Sequence, residues 1–137
     1  MGKDLWGNLP EIGDVRTPYI ILSEQANVIT QKTEALLEGK VHISNKSPGN
    51  FQAQLLISAP SLAGFYVQIL SITHGVELYP VKIQHGLTSE TFNPKTEEEY
   101  YLSLSTIFQS AKVQSVIKSL LIQIKAIATQ KLKFEEL

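Results

Sequence analysis

Two of the chain's three histidines, His74 and His85, are each followed by glycine and bracket the stretch SITHGVELYPVKIQHG, with Glu77 and Tyr79 between them. Imidazole, carboxylate and phenol in so short a span are the groups that ligate metals or move protons. The surrounding pattern points to a turn instead. His74-Gly75 separates two alternating apolar segments, and a two-residue loop ending in glycine between such segments reads as a β-hairpin. That hairpin sets Ile72 opposite Glu77, Leu70 opposite Tyr79 and Gln68 opposite Val81. An extended strand between the two imidazoles then holds them roughly 35 Å apart, too far to share an ion or a substrate. His74 and Glu77 alone fall short of the three or four ligands a metal site needs. His42, between Val41 and Ile43, points to the face opposite theirs.

Other chemical signatures are thin. There is no cysteine, which removes disulfides, thiolate catalysis and cysteine-ligated clusters. Asp4 and Asp14 are the only aspartates, so carboxylate cages for magnesium or calcium are poorly supplied. No GxSxG elbow, GxGxxG turn or P-loop occurs. Glu97-Glu98-Glu99 sits where a helix should start, and Lys118 and Lys125 share one solvated side of a later helix. Arg16 is the sole arginine, and pairing with Glu24 or Asp14 outweighs capture of a ligand carboxylate. One arginine and a net charge of −1 argue against nucleic-acid binding. The pattern leaves catalysis unassigned and weighs against it, with no catalytic residue, metal ligand or cofactor.

The elements that must position any site follow from periodicity. A chain of 137 residues with 43% hydrophobic content reads as one domain, 1–137. Residues 1–16 form an irregular lead-in, with Leu5, Trp6 and Leu9 expected to pin it to the body. Thr17 as N-cap and Pro18 at the first helical position open a helix over 17–38. Its stripe is Leu22, Ala26, Ile29, Thr33 and Leu36, and Gly39 stands as its C-cap. Four strands fall within 40–84, broken by Ser47-Pro48-Gly49-Asn50, by Pro60–Gly64 and by His74-Gly75. Thr96 and Glu99 form a capping box for a helix over 96–109. Ser110 caps another over 111–131, striped by Val113, Ile117, Leu120, Ile124 and Ile127, before a frayed tail KLKFEEL.

Short links make the strands an antiparallel meander, giving an α-β-β-β-β-α-α two-layer α+β domain. The succession resembles cystatin-like sheets at the level of fold, which implies no activity. No apolar run approaches the ~20 residues of a membrane span, and no secretory apolar segment is visible, so a cytoplasmic protein is expected.

The hairpin register collects Phe65, Val67, Ile69, Val76 and Leu78 on one face and Tyr66, Leu70, Ile72, Tyr79, Val81 and Ile83 on the other. Two apolar faces need two covers, the second being the C-terminal helices or another copy of the chain. The expectation is a non-catalytic interaction or accessory module that dimerises, with Leu70, Ile72, Tyr79, Val81 and Ile83 in the interface. The alternative is a small enzyme or ligand-binding protein with a pocket between the first helix and the sheet. Arg16, Tyr19, Glu24, Gln25 and Tyr66 would line it. The series LWGNLP, VRTPYIILSEQA and HGVELYPV resembles, over most of the chain, a group of small bacterial proteins of uncharacterised function. That resemblance implies a bacterial source and brings no catalytic residues.

Overall fold

In the computed structural model, which describes residues 2–135, the chain runs α1 (Pro18–Lys32), β1 (Glu38–Ser47), β2 (Asn50–Ala59), β3 (Phe65–His74), β4 (Lys82–His85), β5 (Thr91–Phe92), α2 (Glu97–Phe108) and α3 (Ala111–Glu135). The strands form one antiparallel sheet in the order β1-β2-β3-β4-β5. This is the expected α+β arrangement with a short fifth strand added. Ile21, Leu22 and Ala26 of α1, Tyr100, Leu104 and Ile107 of α2, and Val113, Leu120 and Ile124 of α3 join Ala53, Leu55, Ile57 and Ile72 of the sheet in one core.

The helix starts follow local chemistry. The Thr17 hydroxyl accepts the Ile20 N–H at 3.1 Å, and the Thr96 hydroxyl accepts the Glu99 N–H at 3.1 Å. Glu99 reaches back to the Lys95 N–H at 2.7 Å, and Ser110 takes the Val113 N–H at 3.3 Å. α1 stops at Lys32 rather than 38. The Thr33 hydroxyl donates back to the Ile29 carbonyl at 2.9 Å and accepts the Leu37 N–H at 3.1 Å. Glu34 and Ala35 turn left-handed, at φ 50° and 64°, and drop Leu37 into the core. Gly39 is therefore not a helix cap. It lies in β1 against α1, where a Cβ would come within 2.7 Å of the Ala26 Cα. At the other end, α3 is helical through 131–135 instead of fraying; Glu136-Leu137 lie outside the described residues.

The β3–β4 connection corrects the expected register. His74-Gly75 is not a two-residue hairpin loop; residues 75–81 all belong to the connection. Ile72 pairs with Ile83, Ser71 with Gln84 and Leu70 with His85. A bulge in the β2–β3 ladder, between Leu55 and Leu56, leaves Ile69 as an extra residue. Ile69 and Leu70 are consequently both buried despite being adjacent. The reading of two apolar faces fails for this reason: one face carries Ala53, Leu55, Ile57, Ile72 and Ile83, while the register places Gln52, Gln54, Gln68, Ser71, Thr73 and Gln84 on the other. A polar outer face can meet water without a cover.

Two substitutions test this geometry with opposite signs. Gly39→Ala should cost about 3 kcal/mol, because backbone rather than a flexible side chain blocks the new methyl. Ala35→Gly should gain about 1 kcal/mol by relieving a left-handed residue, raising Tm by on the order of 4 °C. Thermal melts of both variants, read by circular dichroism, check the pair.

Candidate functional site

A cleft of about 580 Å³ lies between the three helices and the sheet. α1 supplies Gln25, Val28, Ile29 and Lys32, at the spacing that shares one side of a helix. Leu55, Ile57 and Ile69 form its floor, Leu104, Ser105 and Phe108 of α2 one wall, and Val113 and Ile117 of α3 another. Tyr101, Gln109 and Gln114 complete its polar lining. Gln109 donates to the Ser105 hydroxyl at 2.8 Å and Gln114 to the Phe108 carbonyl at 2.8 Å. Among the described residues no histidine, aspartate or glutamate lines the cleft. Acid–base chemistry there would have to run on a lysine and a tyrosine with no carboxylate or imidazole between them.

A second, smaller hollow of about 300 Å³ lies on the same sheet face near the N-terminus of α1. Thr17, Tyr19, Ile43, Phe51, Ile72, His74, Val76 and Leu78 line it. The His74 ring stacks on Phe51, with centroids 5.4 Å apart. Ile43, Phe51 and Val76 are exposed, so the hollow is an apolar surface open to water.

The expected pocket residues fall in different places. Gln25 alone lines the main cleft, and Tyr19 lines the hollow. Arg16 and Glu24 form an ion pair, both side chains half exposed, worth at most about 1 kcal/mol. Tyr66 is exposed on the outer face, opposite Ser58. The expected interface residues are corrected too: Leu70, Ile72, Val81 and Ile83 are fully buried within the single chain, and Tyr79 is half-buried against Tyr100. The register turns Leu70, Ile72 and Ile83 toward the core, Val81 is buried in the connection before β4, and of the five Ile72 reaches the lining of the hollow. Lys32, Leu102 and Phe108 were not singled out from the sequence. The signal for Lys32 was the 25-28-29-32 spacing, next to the deeper stripe of α1.

The histidines do separate work. Leu70 faces His85 across the ladder, and His74 lies four residues further along β3, roughly 13 Å away along the strand. The separation is shorter than a straight hairpin strand implies, but it still exceeds the reach of one ion. His85 is buried; its Nδ1 accepts the Leu87 N–H at 3.0 Å, which leaves Nε2–H to donate to the Ser110 hydroxyl 3.4 Å away. It ties the end of β4 to the start of α3. Among the described residues no three metal-ligating side chains come together. No described helix is long and apolar enough to cross a membrane.

The N-terminal lead-in departs most from expectation. Leu5, Trp6, Leu9 and Ile12 are 90%, 83%, 71% and 82% exposed. They do not pin the arm to the body, because no complementary surface of their own chain receives them.

Comparison of the chain with family models, with curated proteins and with solved structures gives no match. Its residues are the whole basis for a functional reading.

Two phenols, Tyr100 buried and Tyr79 half-buried with its hydroxyl out of reach of water, link the β3–β4 connection to the helices. The Tyr100 hydroxyl donates to the Pro18 carbonyl at 2.9 Å, and the Tyr79 ring meets Tyr100 edge-on at 6.0 Å. Burial, then the charges of Glu97 and Tyr101, push the Tyr79 hydroxyl up to about 12. Burial pushes Tyr100 higher still, with lesser contributions from Tyr79 and Tyr101. An unfolded tyrosine ionises near 10, so the fold holds both protonated where the unfolded chain does not. The associated stability is full below about pH 10 and is lost as pH rises through about 12. Thermal melts from pH 9 to 12 should show this fall, and Tyr79→Phe should flatten it. An unchanged slope in Tyr79→Phe would remove Tyr79 from the account.

Proposed function

We propose that the chain is a non-catalytic interaction module that associates with a second copy of itself by exchanging N-terminal arms. The observation that carries this is the exposure of Leu5, Trp6, Leu9 and Ile12 along one short segment. Large apolar side chains held together in water favour any partner that covers them. The hollow at the start of α1 is the receptor in this reading. It is apolar and open, and Thr17, where the arm leaves the body, lies on its rim. Two copies packed about a two-fold axis can then pass each arm into the other's hollow. An arm with one tryptophan and several aliphatic residues brings the exchanged pair to roughly 1,200–1,600 Å² of buried surface, the scale of a specific interface. A cytoplasmic setting in a bacterium belongs to the same reading, its bacterial part resting on the sequence resemblance.

A second reading, a ligand-binding protein with its pocket between α1 and the sheet, is favoured by the cleft lined by Gln25, Ile29 and Ile57. It is compatible with the first, since the cleft and the hollow share no lining residue.

Sedimentation equilibrium of the full chain and of a chain lacking residues 2–15 tests the arm. The full chain should reach a dimer in the micromolar range, and the truncated chain should stay monomeric with an unchanged melt. Trp6→Ala should weaken the dimer by about tenfold or more. A full chain that stays monomeric at high micromolar concentration, or a truncated chain that dimerises equally well, would overturn arm exchange.

A further inference from the structure

We propose that the cleft between the three helices binds an amphiphile with a carboxylate head and a hydrocarbon tail, and that Lys32 receives the carboxylate. The inference rests on the ligand-binding reading above and owes nothing to the arm. At about 580 Å³ the cleft lies within the roughly 300–1,000 Å³ of small-molecule sites. Its floor of Leu55, Ile57 and Ile69, walled by Leu104, Phe108 and Ile117, is hydrocarbon and suits a tail.

Charge then selects the head. Among the described residues Lys32 is the one cation in the lining, and no acid shares it. The ion pairs among the described residues join Arg16 to Glu24 and Lys40 to Glu38, so neither uses Lys32. A single ammonium group at the edge of an apolar slot offers one negative charge a partner and repels a cationic ligand. A phosphorylated or polyanionic head calls for several donors, most often arginines, and the cleft has none.

The helices also bring Lys32 to one end of the slot. α1 and α2 start side by side, held by the Tyr100 hydroxyl on the Pro18 carbonyl at 2.9 Å. Both then line the cleft, and at 1.5 Å per residue Lys32 and Gln109 lie about 21 and 18 Å from those starts. The ammonium therefore sits toward the end where α2 stops and α3 begins, and the tail extends back toward Gln25 and Tyr101.

Isothermal titration with decanoate, decanol and decylamine, each below its micellar concentration, tests the assignment. Decanoate should bind about fivefold more tightly than decanol, the scale of one solvent-exposed ion pair, and decylamine most weakly. Lys32→Gln should bring decanoate down to decanol without changing decanol itself. Ser105→Trp should block both, and since Lys32 is exposed, Lys32→Gln decides the matter even if the tryptophan variant does not fold. Equal binding of decanoate and decanol to the unaltered chain, or a preference for decylamine, would overturn the carboxylate and leave a neutral apolar pocket standing. Binding of none of the three would overturn the pocket reading together with it.

Discussion

Opposite Leu55 and Leu56, β3 carries one residue more than its partner strand, and that surplus buries Ile69 and Leu70 together. Side chains in a strand alternate, so a one-residue shift exchanges the contents of the two faces from that point onward. The bulge brings Leu70, Ile72 and, through the next ladder, Ile83 onto the face that already holds Leu55 and Ile57. One face thereby becomes apolar enough to gather three helices, while the other keeps glutamine, serine and threonine. The cleft is a consequence of this concentration. Three helices converge on a single face, and core residues such as Leu55, Ile57 and Leu104 line the space they leave between them.

Interactions that close within a few residues were legible in the sequence. Thr17-Pro18, Thr96 with Glu99, and Ser110 each satisfy orphan amide groups one turn away, and all three act as read. The strands and their antiparallel order were legible from alternation and breakers. Register was not, because His74-Gly75 looks like a turn locally, whereas the paired residues are fixed by Ile72 against Ile83 across a longer connection. Gly39 shows the same limit: its place after a helix implied a cap, and only the packing of β1 on α1 reveals a contact that excludes a Cβ.

The site was less legible still. Of the expected pocket residues only Gln25 reaches the main cleft, since its walls come from segments some eighty positions apart whose docking no local pattern encodes. The apolar content of the arm was visible, yet its fate was not. Burial needs a complementary surface, and composition records only one side of that requirement. Leu5, Trp6 and Leu9 stay exposed on their own chain, which is why the proposed contact uses the N-terminal segment and the hollow at its root.

Trp6 is the chain's single tryptophan, so its fluorescence reports on the arm alone. Emission and acrylamide quenching followed across a dilution series test most directly whether the arm is free in the isolated chain and covered by a second copy. The expected result is red-shifted, readily quenched emission at nanomolar concentration, moving to blue-shifted, protected emission as concentration rises. Blue-shifted, protected emission at every concentration would mean that the arm packs on its own body, and would contradict the account.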